Sequence, residues 1–235
     1  MGDALILRPL DAFRSEFFND EWVWDQDGKS PEAQLSNNSE AVYFNVDPVD
    51  GSTGTSGVRG NKGFTEGEHY WEITFTEPCF GTSVMVGVGT KKALLHTNNY
   101  QYVNLLGRDT ESWGLTYKGT IWHNGMSRKY CKPFYEPKTV IGCHLNLYDG
   151  TLTFYKNGQN LGVAFRGLNR TGQPLYPLTS STSTNTEIEV GVRTQRHLTL
   201  QEMCVMKVLQ NIHYKQDDID NLPLPNIVKN HLKAL

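Results

Sequence analysis

Ile141-Gly142-Cys143-His144-Leu145-Asn146-Leu147-Tyr148, then Asp149-Gly150, Thr151 to Lys156, Asn157-Gly158 and Gln159 to Phe165 form the stretch whose reading decides the fold. Apolar and polar residues alternate here, the period that sends successive side chains to opposite faces of a strand. Asp-Gly and Asn-Gly are the dipeptides best able to supply positive φ at both centres of a type I′ hairpin turn. The spacing therefore predicts three consecutive antiparallel strands. Working outward, Trp71-Glu72-Ile73-Thr74-Phe75 and Ser83-Val84-Met85-Val86-Gly87-Val88-Gly89 add two more. From Trp22 to about Val192 short alternating segments are divided by Gly, Asn and Asp, the pattern of a mainly β, antiparallel sandwich. Residues 1–20 are mixed and read as a partly ordered extension, with Phe13, Phe17 and Phe18 available to pack back on the domain.

The last forty or so residues change character. In Thr199-Leu200-Gln201-Glu202-Met203-Cys204-Val205-Met206-Lys207-Val208, Leu200, Cys204 and Val208 recur every four residues and Met203 widens the same face, so the segment reads as an amphipathic helix. Thr199 caps it, with Glu202 three residues on completing a capping box. So short a helix cannot hold itself together in water, and its stripe needs cover from this chain or from another protein. Beyond it, Leu222-Pro223-Leu224-Pro225 alternates two prolines with leucines, a rigid extended entry into a last helix, Asn226 to Leu235, with Val228 and Leu232 on it.

Composition bounds the rest. At 235 residues, with 38% hydrophobic and 11% aromatic content, the chain suits one sizeable domain and a small appendage. A net charge of -3 points to neither nucleic acid nor an anionic membrane surface. Cys79, Cys131, Cys143 and Cys204 form no CxxC pair and no secretory signal precedes them, so they read as reduced thiols of a cytoplasmic or nuclear protein without structural zinc. The apolar run Ala4 to Leu7 is too short for a membrane span, and Ile6 stands where a myristoylation motif needs Ser or Thr.

An enzyme needs a convergent set of titratable groups. His69, His96, His123 and His144 are scattered, His144 within a strand where a hydrogen-bonded sandwich residue is expected. Cys79 and Cys143 sit among apolar neighbours that keep a thiol protonated. Gly51-Ser52-Thr53-Gly54-Thr55-Ser56-Gly57 is Gly-rich but lacks the P-loop Lys. No cofactor and no catalytic residue is expected. A β-sandwich instead gathers its connecting loops at its ends, where recognition can be built on a rigid frame.

Gly67-Glu68-His69-Tyr70-Trp71-Glu72, Met85-Val86-Gly87-Val88-Gly89-Thr90, Ser112-Trp113-Gly114-Leu115, Asp149 to Phe154 and Leu175-Tyr176-Pro177-Leu178 resemble the successive landmarks of a B30.2/SPRY domain. The C-terminal pair of motifs resembles a SOCS box. The chain is thus similar to the SPRY domain-containing SOCS box proteins, with Trp22-Val23-Trp24-Asp25 and Leu105-Leu106-Gly107-Arg108-Asp109 most like the family's third member. The resemblance implies an N-terminal extension over 1–20, a SPRY domain over 21–195 and a SOCS box over 196–235. It implies elongin binding by Thr199, Leu200, Cys204 and Val208, and cullin-5 binding by Leu222, Pro223, Leu224, Pro225, Val228 and Leu232. It also implies that Pro48, Gly81, Thr82, Tyr102 and Leu105 grip short Asn-containing segments of target proteins. Gly would let a ligand backbone approach, Thr82 and Tyr102 would offer hydroxyls, and Leu105 an apolar wall. Val46, Asp50 and Thr182-Ser183 depart from the better-known relatives, which carry an Arg, a small residue and a Val-Trp pair there, so altered specificity is expected.

The function implied is substrate recognition for a RING ubiquitin ligase containing elongin B, elongin C, cullin 5 and its RING protein, which marks targets for proteasomal degradation. A SPRY scaffold that assembles signalling proteins without ubiquitination is the alternative, and a hydrolase using His144 or Cys143 a third.

Overall fold

The computed structural model describes residues 18–44, 54–98, 100–184 and 186–198, and beyond them Cys204, Lys207, Val208, Asn211 and residues 219–233. The chain divides into two compact units, Met1–Arg196 and His197–Leu235.

In the first unit the strands run β1 (Phe18–Asn19), β2 (Trp24–Lys29), β3 (Ala33–Leu35), β4 (Ala41–Phe44), β5 (Ser56–Gly60), β6 (Glu68–Phe75) and β7 (Val84–Gly89). They continue as β8 (Ser112–Thr116), β9 (Thr120–His123), β10 (Met126–Lys129), β11 (Thr139–Asn146), β12 (Thr151–Lys156), β13 (Gln159–Arg166), β14 (Tyr176–Ser181) and β15 (Thr186–Arg196). One sheet has the order β13-β12-β11-β6-β15-β4-β3, with β1 also paired to β15, and the other β10-β9-β8-β7-β14-β5-β2. All the pairings are antiparallel. This is the two-layer antiparallel sandwich that the alternation in the sequence predicts.

Period-two alternation builds the core. Val84, Val86 and Val88 of β7 face Trp71, Ile73 and Phe75 of β6 and Ile141, Cys143 and Leu145 of β11 in one buried cluster. Trp22 packs edge-on against Trp24 and Trp71, with ring centroids 5.4 and 6.1 Å apart, a geometry that favours aromatic pairs beyond their buried area. On the outer side of the second sheet, Met85 and Leu178 form a separate cluster with Ala93, Leu105 and Leu106. The long β7–β8 connection therefore folds back over the sheet, and close-lying backbone keeps it there: a Cβ on Gly57 would sit 3.0 Å from the Leu95 carbonyl oxygen.

The two hairpins flanking β12 differ. Lys156 pairs with Gln159 across Asn157-Gly158, whose φ values of 48° and 81° are those of the expected type I′ turn. The Asp149-Gly150 expectation needs correction, because Asn146 pairs with Thr151 and the loop holds four residues. The Asn146 Oδ1 accepts from the amides of Tyr148 (2.9 Å) and Asp149 (3.0 Å), so a side chain closes the turn and only Gly150 takes positive φ.

The N-terminal expectation also shifts. Phe13 and Phe17 lie outside the described residues, and Phe18 is 69% exposed instead of packed back. Phe18 and Asn19 pair with Gln195 and Thr194, and buried Asp20 ties this strand to β6. Its carboxylate accepts from Lys62 Nζ at 2.6 Å and faces His69 Nδ1 at 3.3 Å, while Phe64 stacks on the His69 ring at 3.8 Å. Burial alone would raise the Asp20 pKa, but its hydrogen bonds with His69 and Lys62 outweigh burial and hold the carboxyl below its ordinary value. The sign of the pH dependence follows: the pairing stabilises the fold above the unfolded carboxyl's pKa of about 4 and is lost as pH falls through the lower folded value. Asp20→Ala should cost about 3 kcal/mol near neutral pH, since it strands a buried partner. The gap between wild type and variant in urea unfolding should narrow progressively as pH is lowered below about 4. A gap of unchanging size over that range would contradict this account of the pair.

Candidate recognition rim

Strand register gathers the candidate residues. Ser181, the last residue of β14, pairs with Val84 at the start of β7 and with Ser56 at the start of β5. The segments preceding β7 and β5 and following β14 therefore meet at one end of the second sheet. Gly81 and Thr82 lead into β7, Thr182 and Ser183 leave β14, and Gly54 and Thr55 lead into β5. The β7–β8 connection reaches the same end, where Gly54 bridges to Gln101. Thr55 Oγ1 donates to the Val103 carbonyl at 3.0 Å and accepts from the Val103 amide at 2.9 Å, fixing the backbone beside Tyr102. Thr82 thus leads into β7, while Tyr102 lies on a segment tied to the lead-in of β5, the strand on the other side of β14.

The predicted contact residues differ in exposure and in what they touch. Gly81 and Thr82 are exposed. Gly81 holds φ +83°, and a Cβ there would meet Ser183 Oγ at 2.3 Å, so the turn itself requires glycine whether or not a ligand approaches. Tyr102 is 38% exposed. Leu105 is a correction: it is buried among Met85, Ala93, Leu106 and Leu178, where it anchors the β7–β8 connection and offers no exposed wall. Pro48, Val46 and Asp50 lie outside the described residues. Thr182 and Ser183 are buried and work inward. The Thr182 hydroxyl accepts from the Ser83 amide (2.9 Å) and donates to its carbonyl (3.0 Å), and the Ser183 amide donates to Ser181 Oγ at 2.9 Å.

The rim before β7 is held at three successive carbonyls. That of Phe80 accepts from the Ser183 hydroxyl, that of Gly81 from the Tyr117 hydroxyl at 2.6 Å, and that of Thr82 from Lys118 Nζ at 2.7 Å. Burial pushes the Tyr117 phenol above its usual pKa, so it stays a neutral donor. No motif in the sequence marks these pinning residues, the exposed Phe80 and Tyr135 on the adjoining segments, or the exposed Tyr100 on the β7–β8 connection. The available signal for Tyr100 is the run of turn-forming Thr97-Asn98-Asn99 before it. Tyr100 takes φ +58° and is 72% exposed.

Among the described residues, His144, Cys79 and Cys143 stand in separate surroundings. His144 Nε2 faces Glu68 Oε2 at 3.3 Å, and Arg196 donates to the other oxygen of Glu68 at 3.1 Å, a surface charge cluster on the first sheet. Burial pushes the Cys79 thiol up to about 12 and raises that of Cys143 as well, which keeps both protonated. Among the described residues no group of three or more His, Cys, Asp or Glu could hold a metal ion, and no helix is long and apolar enough to cross a membrane. A cavity of about 260 Å³ between Phe64, Leu147, Leu168 and Pro174 lies at the opposite end of the sandwich from the rim.

In the second unit, Thr199 and Leu200 lie outside the described residues. Cys204 and Val208 are helical, Cys204 exposed and Val208 half-buried. Leu222 and Leu224 are half-buried, Pro223 and Pro225 exposed. Helix α1 (Asn226–Lys233) follows at once, with the Pro225 carbonyl accepting from the amides of Val228 (3.0 Å) and Lys229 (3.1 Å). Ile227 and Val228 of this helix are 80% and 38% exposed. Leu232 lies on its last turn.

The SPRY domain family model matches residues 68–194. The chain is similar to SPRY domain-containing SOCS box protein 3 of Xenopus laevis, with 38% identity over 87% of this chain and 55% of that protein. It therefore spans about half the length of that relative. With SPRY domain-containing SOCS box protein 1 of Homo sapiens it shares 33% identity over 89% of this chain and 79% of the relative. Among solved structures, the PSpry domain of TRIM65 superposes with a TM-score of 0.57 at 24% identity, over 73% of this chain and 90% of that one. That likeness bears on the fold alone.

Proposed function

This chain belongs to the SPRY domain-containing SOCS box family, and on that premise we propose that it is the substrate-recognition subunit of a RING ubiquitin ligase built on elongin B, elongin C and cullin 5. The sandwich rim holds the target. The C-terminal unit recruits elongin through the Leu200, Cys204, Val208 stripe and cullin 5 through Leu222 to Pro225 with Val228 and Leu232. Ubiquitin transfer is carried out by the partners, and this chain supplies proximity and orientation. The observation that carries the reading is the exposed apolar pair Ile227 and Val228 on a helix entered directly from Leu-Pro-Leu-Pro. An apolar helix face displayed in this way suits docking against a partner. Cytoplasm and nucleus are the compartments where such a ligase subunit acts.

At the rim, the ligand is a short Asn-containing segment of a target, with Gly81, Thr82 and Tyr102 on either side of β14. The backbone before β7 and beside Tyr102 is already tied down, so little order has to be imposed on binding. Tyr102→Ala should lower affinity for such a peptide by roughly tenfold or more, while leaving the melting temperature almost unchanged. Calorimetric titration of wild type and variant with a panel of Asn-containing peptides, beside thermal unfolding, is the measurement. Normal binding by the variant would place the site on other loops, and a wild type that binds no peptide would overturn the ligand class.

A further inference from the structure

Phe80 is half exposed (50%) on a loop with very little freedom. A single exposed apolar side chain is ordinary and decides nothing. Its support is not ordinary: the Phe80, Gly81 and Thr82 carbonyls are held by side chains from two distant parts of the chain, Ser183 on one side and Tyr117 with Lys118 on the other. The preceding residue is fixed too, its amide donating to the Tyr135 carbonyl at 3.3 Å. Tyr135 is itself 53% exposed, and its ring meets Tyr117 edge-on at 5.6 Å. Two exposed aromatic side chains therefore stand on adjoining, braced segments, continuous with Gly81 and Thr82. In the β14–β15 connection Thr182 and Ser183 are buried and engaged in hydrogen bonds with the backbone.

An aromatic side chain carried on braced backbone leaves less chain to order on contact, and exposed aromatics carry a disproportionate share of interface energy. Resting on the reading that the rim binds a target segment, we propose that Phe80, with Tyr135 beside it, is the apolar anchor of that rim. It receives a bulky apolar side chain of the target, next in the segment to the residue seated at Gly81 and Thr82. The rim then selects a polar residue with an apolar neighbour, and a wholly polar segment is disfavoured.

The test uses the full chain and two Asn-containing peptides that differ only at the positions flanking the Asn, Leu in one and Ser in the other. Fluorescence anisotropy should show wild type preferring the Leu peptide by about tenfold. Phe80→Ser should bring the two affinities together with an unchanged melting temperature, and Phe80→Tyr should keep the preference. Tyr135→Ser should weaken it part of the way. Equal binding of both peptides by wild type, or an undiminished preference in Phe80→Ser, would overturn the anchor and leave the rim reading in place. Failure of wild type to bind either peptide would overturn both.

Discussion

Gly87→Ala should unfold or severely weaken the sandwich, with a loss of more than about 3 kcal/mol in urea unfolding and poor soluble yield. Gly87 pairs with Gly114 across β7 and β8, and a Cβ on it would lie 1.9 Å from the Trp113 carbonyl oxygen. That oxygen is backbone in a central strand and cannot swing aside as a long side chain could. The strands would have to separate, disturbing Val84, Val86 and Val88 in the core. Because β7 also begins at the rim, the same variant should lose peptide binding through loss of structure. Gly191→Ala is the control: its Cβ would find nothing closer than 3.4 Å, so its stability should stay within about 0.5 kcal/mol of wild type. Similar stabilities for the two variants would refute this account of the β7–β8 contact.

The second large effect concerns the C-terminal unit. If Leu200, Cys204 and Val208 enter an apolar site on elongin C, Leu200→Asp with Cys204→Asp places uncompensated charge in that interface. The cost is roughly 3 kcal/mol or more, a loss in affinity of over about a hundredfold. Elongin should then fail to co-purify. Replacing Leu222, Pro223, Leu224 and Pro225 together with Ala removes the constrained entry to α1, and should leave elongin bound while cullin 5 is lost. A pull-down with purified elongin B, elongin C, cullin 5 and cullin 2 separates the outcomes. Undiminished cullin 5 recovery by the Ala variant, or a wild-type preference for cullin 2, would sink the cullin assignment.

What could be read in advance followed from local rules. Alternation in β7, β11 and β12 gave the inward faces, because a period of two leaves little choice once one face is buried. Asn157-Gly158 could be read because both residues need positive φ and both tolerate it. Asp149-Gly150 misled because the deciding atom belongs to Asn146, whose side chain lengthens the loop. Leu105 misled for a longer-range reason: it appears loop-borne and available until the connection folds over Met85 and Leu178. The hint was there in those two large apolar residues, at positions facing away from the valine side of the sheet. Phe80 was hardest to read. Its importance depends on Tyr117, Lys118 and Ser183, which become its neighbours only when β8 and β14 pair on either side of β7.

A target-holding sandwich and a ligase-recruiting tail on one chain should enter the ligase together. Purified wild-type chain, mixed with elongin B, elongin C, cullin 5 and its RING protein, is passed over a sizing column with multi-angle light scattering. A single complex containing one copy of each component is the expected result. Elution of the chain apart from elongin and cullin 5, with the partners fully competent to bind one another, would contradict the proposed function.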